Sequence, residues 1–531
     1  MLLPGAAILG ASLGPGVPRL QLAEDSRSGQ SEHPLHYVTP FLAIKSIGSN
    51  AKLLQLTTME KAQHHRFAAK SIVSKVMLSL MGVIGLTGLS SVKSQAAGYT
   101  YTKIAALGET APGGAEYFFD LEVGQINNRG DVIYVADLTT DRVDDIGEGA
   151  FLLSHGQISA LALPGLPAPG GGTFAFALSP TGVNDEGDAA AAMLLNPVTL
   201  PLGLNGGLYR YSAAKKSLSA VVVPLVTMAP GSGTFQGVSF ETSINNPGDI
   251  CFAAIIPTNA GIVPAQGLGM GVFVANKAGQ ISSVVMPGDS APGGGRFDFA
   301  EIAWINSRGD VAFGAHIAGE ECVGFNPPTL ENQSGRIFCA DNVYLRKAPS
   351  GQIISIAHQG DAAPGGGVFR HAWGPIVNDH GQVLFVGDLT VAPPDNPNLF
   401  DVSQGLYLFN GSFTVPVVRP GDALPDGTMV TVQDQVYGHH LNNPGEISFL
   451  AAPKGKNDED VEAIYVKSGN TFRLVAKSGT SIPGVGSIAN FDTFGPGTLS
   501  GGAVNNDRGQ VIFSANLVGG GAALVVATPT R

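Results

Sequence analysis

The chain has 531 residues, with 72 Gly, 35 Pro, 44% hydrophobic residues and a formal net charge of −12. That much apolar material excludes a disordered chain, and that much Gly and Pro excludes a helical bundle, since each costs about 1–3 kcal/mol inside a helix. The negative balance excludes a nucleic-acid binder held by phosphate contacts.

Residues 1–58 show neither a basic region nor a clear periodicity, and read as a mis-called upstream start or a disordered leader. Residues 59–96 read as a secretory signal peptide. Lys61, Arg66, Lys70 and Lys75 form a basic region, Val76–Leu89 an apolar core, and small residues lead to cleavage after Ala96, with Ser94 three positions before the cut. The apolar core is shorter than the roughly 20 residues a transmembrane helix needs. No other long apolar run follows, so the mature chain, residues 97–531, is expected to lack a membrane span. Loss of residues 1–96 removes nine basic and four acidic residues and leaves the mature chain near −17. The expected location is secreted, periplasmic or at the cell surface.

From residue 97 onward the sequence repeats. An apolar residue, Asn, two residues, Gly, a polar residue and an apolar run recur seven times. The Asn/Gly pairs are Asn127/Gly130, Asn184/Gly187, Asn245/Gly248, Asn306/Gly309, Asn378/Gly381, Asn442/Gly445 and Asn506/Gly509, and successive Asn residues are 57, 61, 61, 72, 64 and 64 apart. Asn suits the first position of a type I turn and Gly the position of positive φ, so the motif predicts a tight turn between two strands. A Pro-Gly-rich loop precedes each motif, as in GDSAPGGGRF and GDAAPGGGVF. A third segment follows, as in NVYLRKAPSGQIISIA, which reads as two strands around a polar turn.

Each unit thus holds four short antiparallel strands in about 62 residues, the size of a β-propeller blade. The last copy stops after its third strand, Gly521–Thr528, and the mature chain begins with a lone strand, Thr100–Leu107. The N-terminal strand is therefore expected to complete the seventh blade and close the ring, hiding the edges an open array exposes. The predicted fold is all-β, a seven-bladed propeller. An open β-solenoid and a sandwich are the alternatives.

The seven motifs resemble those of bacterial exported tandem-repeat proteins named for their NxxGxxxF repeat, the choice-of-anchor type. The resemblance covers Thr100–Thr528 and implies export. It implies no catalytic residues. Those proteins commonly carry a C-terminal sorting anchor, whereas this chain ends AALVVATPTR, with no apolar anchor and no basic tail, which puts surface attachment in doubt.

A residue present seven times is scaffold before it is site, so the Asn and Gly of the turns are assigned a structural role. Glu109, Asp289, Asp361 and Asp422 of the Pro-Gly loops supply one carboxylate per loop, too few for a tight Ca²⁺ site, and read as turn caps. No metal or other cofactor is expected. Non-repeated polar residues on the first strand of each unit, which should line the central tunnel, are the ligand-binding candidates: Glu122, Glu241, Glu301, His371, Asp434, His439 and His440. Carboxylates and imidazoles there suit acid–base work or metal binding, but adjacent side chains such as His439 and His440 point to opposite faces. Tyr209, Tyr211, Tyr344, Tyr407 and Trp373 are weighed as sugar-stacking surfaces and read rather as blade core. Cys322 and Cys339 are expected to form a disulfide, and Cys251 to remain a buried free thiol.

No nucleophile elbow, HExxH, Walker or dinucleotide fingerprint stands out. The expected protein is an exported, monomeric, non-enzymatic propeller that binds an extracellular or envelope ligand, a glycan or peptide. A propeller hydrolase or lyase acting on polysaccharide through the tunnel is the alternative.

Overall fold

Seven antiparallel sheets, one per sequence repeat, make up the fold of the computed structural model. It describes residues 98–196, 205–260, 267–320, 340–391, 401–425, 430, 436–451, 462–491 and 502–530. The signal-peptide and leader assignments, Asp434, and the Cys322–Cys339 pairing fall outside these residues.

Strand β1 (Tyr99–Ala106) stands apart and is taken up last. Blade 1 is β2 (Glu116–Ile126), β3 (Val132–Thr139), β4 (Asp145–Ser154) and β5 (Gln157–Ala162). Blade 2 is β6 (Thr173–Val183), β7 (Ala189–Asn196), β8 (Gly206–Ser212) and β9 (Ser217–Val222). Blade 3 is β10 (Gly237–Ile244), β11 (Ile250–Pro257), β12 (Leu268–Ala275) and β13 (Ile281–Val285). Blade 4 is β14 (Phe297–Ile305), β15 (Val311–Ile317), β16 (Asn342–Arg346) and β17 (Ile353–Ala357). Blade 5 is β18 (Val368–Val377), β19 (Val383–Val391), β20 (Asp401–Phe409) and β21 (Thr414–Val418). Blade 6 is β22 (Val436–Leu441), β23 (Ile447–Ala451), β24 (Ala463–Ser468) and β25 (Thr471–Lys477). In each, the strands pair in sequence order.

Blade 7 differs. Its inner strand is in two pieces, β27 (Gly486–Phe491) and β28 (Val504–Asn505), both on β29 (Val511–Leu517), and a short β26 (Ser481–Ile482) folds onto β27. This is the repeat whose Pro-Gly loop is degraded in sequence. Strand β30 (Ala522–Pro529) follows, and β1 pairs with it antiparallel from Tyr99↔Pro529 to Ala106↔Ala523. The closing strand expected from the two chain ends is thus present, displaced by one residue at each boundary.

Burial explains the strand compositions. The second strands β7, β11 and β15 are almost wholly buried, being covered on both faces by neighbouring blades, and read as unbroken apolar runs. The outer strands β5 and β9 alternate exposed and covered residues, so QISALA and SLSAVV mix polar with apolar. Between the sheets the aromatic of the NxxGxxxF motif stacks on a third-strand aromatic, and the Pro-Gly-loop aromatic meets that one edge-on. In blade 4 Phe313 lies 5.6 Å from Tyr344 at 23°, and Phe297 lies 5.0 Å from Tyr344 at 89°. Phe385, Tyr407 and Phe369 repeat this in blade 5, and Phe252, Phe273 and Phe235 in blade 3. Each such pair contributes about 0.5–1.5 kcal/mol beyond its area. Tyr209, Tyr344 and Tyr407 are fully buried in these clusters and present no face to a sugar. Cys251 is a buried free thiol, and burial pushes its pKa up.

Candidate functional site

The NxxG turns meet at one end of the propeller. Within a turn, Asn127 Oδ1 accepts the N–H groups of Arg129 (2.9 Å) and Asp131 (2.8 Å), and Gly130 takes φ 88°, a conformation in which a Cβ is strained. Gly187, Gly248, Gly309, Gly381, Gly445 and Gly509 hold the same place in the other six turns, at φ between 75° and 93°. In all seven the Gly N–H donates to the carbonyl of the motif Asn at 2.9–3.1 Å, which closes the turn. These glycines therefore act on the backbone alone, and none of them lines the axial cavity that the turns surround.

Between turns, Asn127 Nδ2 donates to the carbonyl of Asn184 (2.8 Å), Asn184 to Asn245 (3.1 Å), Asn245 to Asn306 (2.9 Å) and Asn306 to Asn378 (2.9 Å). Asn378 donates to Asn442 (3.2 Å), Asn442 to Asn506 (2.9 Å), and Asn506 back to Asn127 (2.9 Å). Seven identical side chains form a closed hydrogen-bonded ring. Only a short amide carries two donors and an acceptor at this reach, which is why the position is Asn and neither Asp nor Ser. The second amide hydrogen goes to the polar residue after the Gly, as in Asn127 to Asp131 (2.7 Å) and Asn306 to Asp310 (3.0 Å). Burial opposes ionisation of Asp131 and Asp310. Hydrogen bonds outweigh it, from Asn127, Ser154 and Arg129 in the first case and from Ala348, Asn306 and Arg308 in the second, and both carboxyls titrate below the usual range.

The next residue in each turn forms a second ring on the axis: Asn128, Asp185, Asn246, Ser307, Asp379, Asn443 and Asp507. Six of the seven side chains accept the N–H of the preceding member: Asn128 to Asp185, Asp185 to Asn246, Ser307 to Asp379, Asp379 to Asn443, Asn443 to Asp507 and Asp507 to Asn128, at 2.7–2.9 Å. Among the described residues the link from Asn246 to Ser307 has no such bond, because Ser is one atom too short. This ring surrounds a cavity of about 130 Å³. Asp185, Asp379 and Asp507 line it, no Lys or Arg does, and its floor carries Gln125, Trp304, His440 and Asn505. Trp304 of blade 4 and His440 of blade 6 touch across blade 5, with ring centroids 5.6 Å apart.

The described tunnel candidates do not converge. Glu122 and Glu301 are buried on the inner strands of blades 1 and 4, and the Glu241 side chain falls outside those described. His439 and His440 do point apart: His439 Nε2 donates to the Gly374 carbonyl (2.7 Å), whereas His440 Nδ1 meets Asn505 Oδ1 (2.8 Å). Burial pushes the His439 pKa down to about 4, so its imidazole is neutral, and burial lowers that of His440 as well. His371 joins a cluster of carboxylates. Its Nδ1 lies 3.1 Å from Asp388 and its Nε2 3.3 Å from Asp341, and Trp373 Nε1 donates to the same Asp388 oxygen at 3.2 Å. The loop carboxylates cap turns: Asp289 accepts the Met286 N–H, Asp361 that of His358 and Asp422 that of Arg419, at 2.8–2.9 Å. Among the described residues no three His, Cys, Asp or Glu side chains are placed to hold a metal ion.

Sequence reading passed over a polar column ten residues after the motif Asn. It holds Asp137, His316 and Asp388 in blades 1, 4 and 5, against Leu194 and Ile255 in blades 2 and 3. Third-strand partners are polar too: Glu148 opposes Asp137 and Gln404 opposes Asp388. Burial, with Glu122, Asp137 and Asp145 adding repulsion, raises the Glu148 pKa well above the carboxylate range. Comparison of the repeats at this column would have shown these residues.

Residues 81–339 and 329–525 match the model of a family of unknown function, DUF7453. The chain belongs to this family. No curated protein matches its sequence. Among solved structures it is similar to the β-propeller domain of the trilobed protease from Pyrococcus furiosus (10% identity, 78% of this chain and 98% of that one, TM-score 0.42). It is also similar to a puromycin-hydrolyzing peptidase of Mycobacterium tuberculosis (10% identity, 81% of this chain and 56% of that one, TM-score 0.41). A third is an alpha-L-arabinanase of Penicillium chrysogenum (11% identity, 69% and 98%, TM-score 0.33). At these identities and scores the likenesses carry no argument about activity. No helix among the described residues is long and apolar enough to cross a membrane.

Proposed function

We propose that this DUF7453 protein is an exported, non-enzymatic propeller that binds an extracellular or envelope ligand at the axial vestibule formed by the second ring. The carrying observation is the lining of that cavity. Three carboxylates and no Lys or Arg face a space of about 130 Å³. Converging carboxylates with low-dielectric walls focus a negative potential and favour a cation. The Trp304 ring at the floor adds an aromatic face of the kind that attracts ammonium groups. The volume suits the end of one basic side chain rather than a whole sugar chain, which favours a peptide over a glycan among the ligands expected. Export rests on the signal-peptide pattern of residues 59–96, and N-terminal sequencing of the exported chain, with a start near residue 97, tests it.

The binding test is calorimetric titration of the full chain with acetyl-trilysine amide and with a neutral oligosaccharide. Binding of the peptide alone, weakening as salt rises, is the expected outcome. Binding of the oligosaccharide alone would reject the vestibule as the site.

The hydrolase or lyase reading has one observation on its side, the Asp388–His371 pair. Glu122 and Glu301 lie on blades 1 and 4, and no second catalytic partner among the described tunnel candidates meets that pair. Retention of any polysaccharide-cleaving activity by His371→Gln would remove this reading.

A further inference from the structure

The seam between blades 4 and 5 carries a row of acids and imidazoles that the vestibule does not use. His316 Nδ1 lies 2.7 Å from Asp298 within blade 4. The β15–β16 register, with Ala315 opposite Asn342, places His316 beside Asp341 one step further on. Asp341 is wholly buried, and its backbone carbonyl accepts the Ala372 N–H of blade 5 at 2.9 Å. His371 follows, set between Asp341 (3.3 Å) and Asp388 (3.1 Å). The row therefore alternates: Asp298, His316, Asp341, His371, Asp388.

A neutral imidazole has a single N–H and can serve one of two flanking acceptors, whereas an imidazolium donates from both nitrogens. His316 is 3% exposed, and beyond the Glu320 backbone its Nε2 has no partner in full hydrogen-bond geometry. A buried polar atom left so costs about 1–3 kcal/mol and calls for an explanation. With both imidazoles charged, every carboxylate of the row has a cationic neighbour. With both neutral, three carboxylates share a buried seam.

We propose that the blade 4–blade 5 seam is an acid-tightened joint, in which protonated His316 and His371 clamp the two blades through Asp341. The other charged or titratable groups on the elements packed here are Glu301 on β14, Tyr344 and Arg346 on β16, Arg370 on β18, and Glu320 with His358, which pair at 2.9 Å. Burial lowers the His316 pKa, but the hydrogen bond and charge of Asp298, the charge of Asp341 and the Glu320 backbone outweigh it, and the net shift is upward. A base with a raised pKa stabilises fully below its unfolded pKa of about 6.5 and loses that contribution as pH rises through its folded value.

Thermal unfolding of the full chain and of His316→Gln at pH 5.5 and pH 8.5 tests the joint. The wild type should exceed the variant by about 2–3 °C at pH 5.5, and the gap should at least halve at pH 8.5. An equal or wider gap at pH 8.5 overturns the proposal. If His316→Gln does not fold, Asp298→Asn should flatten the same pH dependence, and an unchanged slope is equally fatal. The double variant with His371→Gln separates a joint from a local pair. Losses at pH 5.5 that fall short of additive support coupling through Asp341, and strict additivity contradicts it.

Discussion

Two rings of seven residues lie side by side around the propeller axis, and they differ in one respect that matters. The first is Asn in every blade, buried, and closed on itself by seven hydrogen bonds. The second varies between Asn, Asp and Ser, is partly exposed except at Asn246, which is exposed, and is open at Ser307. An identical, buried, satisfied residue fixes the angle from each blade to the next. A variable residue one position along changes only what the cavity presents. Scaffold and binding surface thus occupy consecutive positions of one turn, and the account stands or falls on their being separable.

The largest effect should come from opening the ring altogether. Deleting 98–107 removes β1, leaves β30 as an unpaired edge and should cause aggregation with a loss of more than about 10 °C in Tm. An unchanged melting temperature would mean that the Asn ring alone closes the propeller.

A smaller but still large loss is expected for Asn306→Ala. It removes the bonds to Asn378, Asp310 and two N–H groups and leaves buried partners unsatisfied. About 3–4 kcal/mol should be lost in urea unfolding. A loss under about 1 kcal/mol would place the ring among ornaments of the turn.

His439 sharpens the distinction from the other side, because it is unique to blade 6 and yet structural. Its pKa near 4 against about 6.5 unfolded means that the unfolded chain binds more protons between those values. Stability should therefore fall by up to roughly 3 kcal/mol as pH drops from 6.5 to 4, and His439→Gln should remove most of that slope. A variant with the wild-type slope would contradict a neutral, buried His439.

The smallest effect belongs to Ser307→Asn. It supplies an oxygen for the Asn246 N–H and should close the second ring, a gain of about 0.5–1 kcal/mol seen as a rise in Tm of a degree or two. A fall would mean that the gap at Ser307 is filled in some other way.

Blade number and strand order were legible because each rests on a local signal repeated seven times, turn chemistry and a Pro-Gly loop, and the closing strand was legible because each chain end holds one part of the same incomplete unit. The turn reading of Asn127 and Gly130, and of the six pairs that repeat them, was legible for the same reason. The Asn127-to-Asn184 bond was not, since it joins residues of different blades and depends on the angle between sheets. The second ring was missed because Asp185 or Asn443, taken singly, looks like an ordinary turn residue, and only closure brings seven of them around one cavity. Convergence of the tunnel candidates was not predictable from strand periodicity either, because bulges shift the inner-strand register between Glu301 and Ala303 and between Trp373 and Ile376.

The measurement that bears most directly on separability combines binding and stability in one variant, Asp185→Asn/Asp379→Asn/Asp507→Asn. Each change keeps the side-chain oxygen that accepts the neighbouring N–H and removes the charge, and at Asp185 and Asp507 it gives up the part-exposed bonds that the second oxygen accepts from the Asn128, Asn246 and Asn443 amides. The account predicts a smaller fall in Tm than in Asn306→Ala and at least a tenfold loss in affinity for acetyl-trilysine amide, worth about 1.4 kcal/mol or more. A variant that binds as tightly as wild type, or that unfolds as readily as Asn306→Ala, would contradict it.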